Sequence, residues 1–401
     1  MPGPDLLRFH LTALLAKGGA ELQQLAATVA IEARTVDAPF PEAYTDRTRP
    51  GQRTILVHYE TSQLFFQAAR ALACVVPPPG ASSDGWEHLE DTALGLADLV
   101  WWMRVTGRTT PVKVRIDRRQ EEIAEKIAVA ATRFVVAHEL GHIVCRQLGE
   151  LAMANRLPPI APEDRPYREE LIADMLGLAY HLRAVPAAGG ASAEQAAYAA
   201  AELVLRTFDL MERVGVPMSQ GHPGPSVRLR YFRQWATSLS MARALRCQPG
   251  TIVVFPQIVR LAETLERIVE RVLDLIASTA AAPLESHPED GALSSHLEAE
   301  LERAVRCQPE SMLPIFEMRL KAMGPPLDVA RAAARLVCDE AVPFETAHEI
   351  YTDEEIRERS RRHQLLVWAV HRLLGPHDRL RFLRTLPAAL TQENPWTSIP
   401  T

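Results

Sequence analysis

The stretch FVVAHELGHIVCRQ, residues 134–147, decides how the chain is read. It contains His138-Glu139-Leu140-Gly141-His142, the pattern H-E-x-x-H. Four-residue spacing on a helix sets the two imidazoles about 40° apart around the axis and about 6 Å apart along it, so both can reach one ion. Glu139 stands one residue further round, where it can face a water on that ion. Apolar neighbours, Phe134 to Ala137 before and Ile143-Val144 after, predict a buried helix of the kind that holds metal ligands dry and rigid. The plain alternative is a core helix whose histidines are satisfied by ordinary hydrogen bonds.

A catalytic zinc needs three protein ligands and an open position. One solution places a third histidine six residues after the second, in H-E-x-x-H-x-x-G-x-x-H. Here Cys145 stands where that glycine would be and Leu148 where the histidine would be, so the third ligand must come from elsewhere. The segment REELIADMLGLAYHLR, 168–183, offers one. Glu170 and Asp174 are four apart and share a helix face, beside an apolar stripe of Leu171, Met175, Leu178 and Leu182. Glu170 would complete a His/His/Glu set for one Zn2+ per chain. Asp174 would accept the free ring N–H of a metal-bound histidine and fix its tautomer. Glu169 is the rival ligand, and solvated acids on a helix face are the plain alternative.

These residues resemble the gluzincin metallopeptidases through HELGH (138–142) and ELIAD (170–174). A third segment, His222-Pro223-Gly224-Pro225-Ser226-Val227-Arg228, resembles the HPxxxxR signature of the M48 family, which includes the CAAX-prenyl endopeptidases. The resemblance implies a zincin-like core and peptide-bond hydrolysis. It implies that His222 steadies the oxyanion and that Arg228 supports the acidic partner. The three motifs span 138–228, and nothing in 230–401 extends the likeness. The chain departs from the well-known members in lacking their membrane helices, so a soluble endopeptidase is expected.

The bulk composition agrees with such a protein. A hydrophobic content of 47% and a charged content of 23% are ordinary for a globular chain. A net charge of −6 leaves no basic footprint for nucleic acid or an anionic membrane. Five cysteines, none in C-x-x-C spacing, give neither a disulfide framework nor a thiolate zinc site. No secretory signal and no membrane-spanning window is recognised, and a cytoplasmic location is expected.

Periodicity predicts a mainly α protein with a small β-sheet, the α+β class. Helices are expected at 5–25, 61–75, 91–105, 118–154 and 193–214, and strands at 27–36, 53–59 and 111–116. The last, PVKVRI, is either an edge strand for an extended peptide or a core strand. Residues 1–117 are expected to form an N-terminal α/β part of the catalytic domain and 118–277 its helical zinc-binding core. A linker at 278–295 would lead to a C-terminal helical domain over 296–391, which could bind a protein partner.

The expected chemistry is attack of a metal-activated water on a peptide carbonyl of a protein or peptide substrate. Glu139 takes the proton and returns it to the leaving amine. The alternative is a non-catalytic regulatory or binding protein on a peptidase-derived helical fold.

Overall fold

A computed structural model describes residues 4–36, 41–46, 51–75, 89–106, 109, 114, 116–148, 159–185, 190–214, 223–236, 266–274, 291–306, 313–339, 362, 365–366 and 373–374. The chain is mainly α-helical with one three-stranded mixed sheet, the α+β class the sequence predicts. It divides into two compact units. The first comprises Met1–Ala93, Pro111–Arg213 and Pro217–Arg271, and the second Leu94–Thr110, Val214–Val216 and Val272–Thr401.

The first unit opens with α1 (Pro4–Lys17) and α2 (Ala20–Thr28). The sequence suggests one helix here, and the pair Gly18-Gly19 divides it. Gly19 has φ of 120°, a backbone that side chains disfavour, and a Cβ there would meet the Arg183 guanidinium at 2.3 Å. That guanidinium donates to the Gly18 carbonyl. Strands β1 (Ala30–Val36), β2 (Ala43–Asp46) and β3 (Gln52–His58) follow in spatial order β1-β3-β2, with β1 parallel and β2 antiparallel to β3. Strand β2 is absent from the sequence reading, because four residues are too few to show a period. The expected strand at 111–116 falls mostly outside the described residues, and Val114 and Ile116 are not in a strand.

Helix α3 (Tyr59–Ala73) precedes α5 (Arg118–Leu148), the 31-residue spine of the unit. The first half of α5 alternates exposed and buried positions, whereas Phe134 through Cys145 are all buried. An 18-residue window of α5 is apolar enough to cross a membrane, but 83% of it is buried inside the protein. Helices α1, α3, α6 (Arg168–Arg183) and α7 (Gly190–Arg213) all pack on α5, α6 most extensively. Helix α8 (Pro225–Ala236) packs on α6 and α7. Pro225 takes its first position, where the missing N–H costs nothing.

Two glycines let α5 and α6 approach closely. A Cβ at Gly141 would lie 2.7 Å from the Ala173 carbonyl oxygen, and one at Gly177 would lie 2.9 Å from both N and Cα of His138. The neighbours are backbone atoms, so nothing flexible can yield. That approach brings the start of α6 against the histidines of α5.

Helix α4 (Leu89–Thr106) crosses the boundary between the units as the chain assigns them. In the second unit, α9 (Gly291–Arg306), α10 (Leu313–Met323) and α11 (Pro326–Asp339) pack on one another around Leu297, Leu301, Phe316, Leu320, Val329 and Ala333. Helix α9 begins at Gly291, inside the stretch expected to be linker; Gly, Ala and Ser there read as loop, and a helix is formed instead.

Gly177→Ala should lower stability by about 1–3 kcal/mol, the usual range for overpacking a tight core. A urea midpoint equal to that of the wild type would refute the close approach.

Candidate metal centre

The buried half of α5 projects His138, Glu139 and His142 to one place, at 8%, 5% and 5% exposure. Each offers a ligand atom within 4.8 Å of the others. The Nε2 atoms of His138 and His142 are 3.1 Å apart. Glu170, in the first turn of α6, sets Oε1 3.1 Å from His142 Nε2 and Oε2 3.6 Å from His138 Nε2. Tetrahedral ligands at bonds of about 2.0–2.1 Å stand about 3.3 Å apart. The two ring nitrogens and the Glu170 carboxylate therefore have the spacing of one face of such a tetrahedron.

The far side of each ring is also occupied by an acid. His138 Nδ1 lies 2.9 Å from Asp174 Oδ1. His142 Nδ1 lies 3.0 Å from Glu169 Oε1. Protons on both Nδ1 atoms leave two Nε2 lone pairs and a carboxylate facing one another. Acceptors converging in a buried space repel unless a cation or protons sit among them. Four carboxylates, those of Glu139, Glu169, Glu170 and Asp174, share the neighbourhood with two guanidiniums, those of Arg146 and Arg228. With neutral histidines two negative charges remain, which suits a divalent ion. The donor set, N/N/O with acidic partners behind both rings, fits zinc.

Asp174 is 1% exposed, and Arg228 forks onto it, Nε to Oδ2 at 2.8 Å and Nη2 to Oδ1 at 2.6 Å. Burial opposes the Asp174 charge, and the Arg228 guanidinium outweighs it, lowering the carboxyl to about 2. The same competition holds the Glu170 carboxyl far below its usual range, here through the two histidines. Arg228 reaches Asp174 from the first turns of α8. The turn that leads into α6 is tied to α8 by Asp164, which accepts from Tyr231 Oη at 2.8 Å and Arg230 Nη2 at 2.6 Å.

Glu139 has a partner in the sheet. Its Oε2 accepts from Thr45 Oγ1 at 2.9 Å. Thr45 pairs with Ile55 in the β2–β3 ladder, and so shares the sheet face that Ile55 and Val57 bury. A one-residue slip of β2 would turn the hydroxyl to the other face. A cleft of about 840 Å³, its open mouth included, runs past His138, Glu139 and Arg228 between β2, α7 and the start of α8.

Of the residues the sequence singles out, His138, Glu139, His142, Glu170, Asp174 and Arg228 are brought together. His222 lies outside the described residues. Sequence reasoning missed Thr45, for which no local signal exists. It weighed Glu169 only as a rival ligand; the structure sets it on the far nitrogen of His142, bonded also to Arg146. The spacing of Arg146, four residues after His142, was the available signal. Cys145 is buried. His181, also buried, bonds Arg133 Nε and the Ala197 carbonyl. No protein-family model, curated protein or solved structure matches the chain.

Two outcomes follow from this geometry. Without metal, burial disfavours the His138 cation, but the bonds to Asp174 and Glu170 prevail and raise its pKa from 6.5 to about 10. A raised pKa stabilises the fold fully below the unfolded value, and the contribution is lost as pH climbs through the folded one. The melting temperature of chelator-treated protein should therefore fall between pH 6.5 and about 10, and added zinc should suppress the fall. Arg228→Met leaves the buried Asp174 without its guanidinium, and should cost about 3–5 kcal/mol in denaturant titrations.

Proposed function

We propose that this chain is a zinc-dependent endopeptidase of the gluzincin, M48-like type. The observation that carries the reading is the convergence of His138 Nε2, His142 Nε2 and the Glu170 carboxylate at 3.1–3.6 Å, with Glu139 beside them. His138, His142 and Glu170 would hold the ion. Zinc bound there supplies a Lewis acid that makes water acidic near neutral pH.

The chain's own residues do the rest. Asp174 and Glu169 orient the two imidazoles from behind, and Arg228 keeps Asp174 charged and in place. Glu139 lines the cleft and is steadied by Thr45, so its carboxylate is placed to take a proton from the attacking water. The same carboxyl then protonates the leaving amine. Strand β2 is at the edge of the sheet beside Glu139, and its outer side offers backbone groups to an extended peptide. The apolar walls of the cleft, Phe134, Val135, Val204 and Phe208, exclude water around the reacting carbonyl.

The test combines metal analysis with casein and peptide cleavage. Wild type should carry one zinc per chain and cut. Glu139→Gln should keep the zinc and lose at least about 100-fold in rate, the scale of one general base. Glu170→Ala should lose both zinc and activity. Stoichiometric zinc without cleavage of any substrate would favour a binding protein on the same fold. Unchanged zinc affinity in Glu170→Ala would remove Glu170 from the ligand set.

A further inference from the structure

The cleft beside Glu139 carries two acids that the metal centre does not use. Glu42 and Glu212 both line it, along with Pro41, Ala43, Thr61 and the apolar walls. Among the described residues neither side chain has a hydrogen bond or an ion pair. Glu42 is nevertheless fixed in position: its carbonyl accepts from His58 N at 2.8 Å and from Thr61 Oγ1 at 2.9 Å. Glu212 lies near the end of α7, and its Oε2 would be 3.8 Å from a Cβ placed on Gly224. The carboxylate thus stands beside Gly224, next to Pro223 and Pro225 of the cleft wall.

The guanidinium among the cleft's lining residues is already committed. Arg228 lines the same cleft, but both arms of its fork are bonded to Asp174. A divalent ion at the metal centre would balance its two surplus negative charges without drawing on Glu42 or Glu212. The cleft therefore keeps a surplus of negative charge at its rim over a wall of Phe134, Val135, Val204 and Phe208. A side chain with an apolar stem and a cationic head matches both parts: the stem packs on the wall and the head stays half-solvated between the acids. An acidic side chain would be repelled, and a neutral aliphatic one would leave the carboxylates unpaired.

We propose that Glu42 and Glu212 select peptides with a lysine or arginine side chain adjoining the bond to be cut. This rests on the peptidase reading for the word "cut", but not for the binding preference. Dansyl-labelled alanine-rich nonapeptides with a central lysine, norleucine or glutamate would be titrated into zinc-loaded wild type, Glu42→Gln, Glu212→Gln and the double variant, with anisotropy as the readout. Cleavage of the same peptides would be followed in parallel.

Wild type should bind the lysine peptide about fivefold or more tightly than the norleucine peptide, from one or two half-exposed ion pairs, and the glutamate peptide most weakly. The double variant should lose that difference while its affinity for the norleucine peptide is unchanged. Equal binding, or no binding, of the lysine and norleucine peptides by wild type overturns the proposal, and so does a preference that survives in the double variant. Cleavage without a preference rejects the selectivity alone. A preference without cleavage rejects the peptidase reading and leaves a cation-selective peptide cleft.

Discussion

The close crossing of α5 and α6 governs everything else in the first unit. Helix axes normally stand 8–10 Å apart, and side chains between them would keep Glu170 out of reach of the histidines. Gly141 and Gly177 remove those side chains at the two points where backbone meets backbone. The start of α6 can then insert its carboxylate between His138 and His142, while Asp174, one turn later, comes up behind His138. Geometry at the centre is thus set by main-chain contact, which cannot adjust, rather than by flexible side chains.

Such an arrangement is costly in electrostatic terms. Buried carboxylates repel one another, and burial alone would protonate them. The protein offsets this with Arg228, held by two bonds, and with whatever positive charge occupies the space between the Nε2 atoms. In the metal-free chain that charge is protons; hence the raised histidine pKa values. A metal bound as proposed would compete with protons for the same lone pairs, and would bind tightly only where the histidines give up their protons.

Much of the centre was legible because its residues are local and periodic. His138 and His142 are one helical turn apart, as are Glu170 and Asp174, and a helix repeats its faces faithfully. The small sheet was harder. Strands 30–36 and 52–58 show as β-branched runs, whereas β2 is four residues of mixed character whose only distinction is tertiary: Thr45 meets Glu139 across 94 residues of chain. The division of the first helix at Gly18-Gly19 was hidden for a similar reason. Two glycines are a known break, but the need for one comes from the distant Arg183. The partner of Asp174 entered through resemblance alone, since nothing in the composition of HPGPSVR says which acid Arg228 will find.

The bond between Arg228 and Asp174 has a consequence for the order in which the molecule is made. The centre draws on three segments, 138–142, 169–174 and 228, and its last contact spans 54 residues. Long-range contacts form late, because the loop that they close must first give up its entropy. A nascent chain that has exposed only α5 holds two histidines without Glu170, and one that reaches α6 holds Asp174 without its guanidinium. The complete cage exists only after α8 has docked. An ion held as proposed would therefore be secured only at the close of folding: a chain stalled before residue 228 carries both histidines and Glu170 without the guanidinium that fixes Asp174.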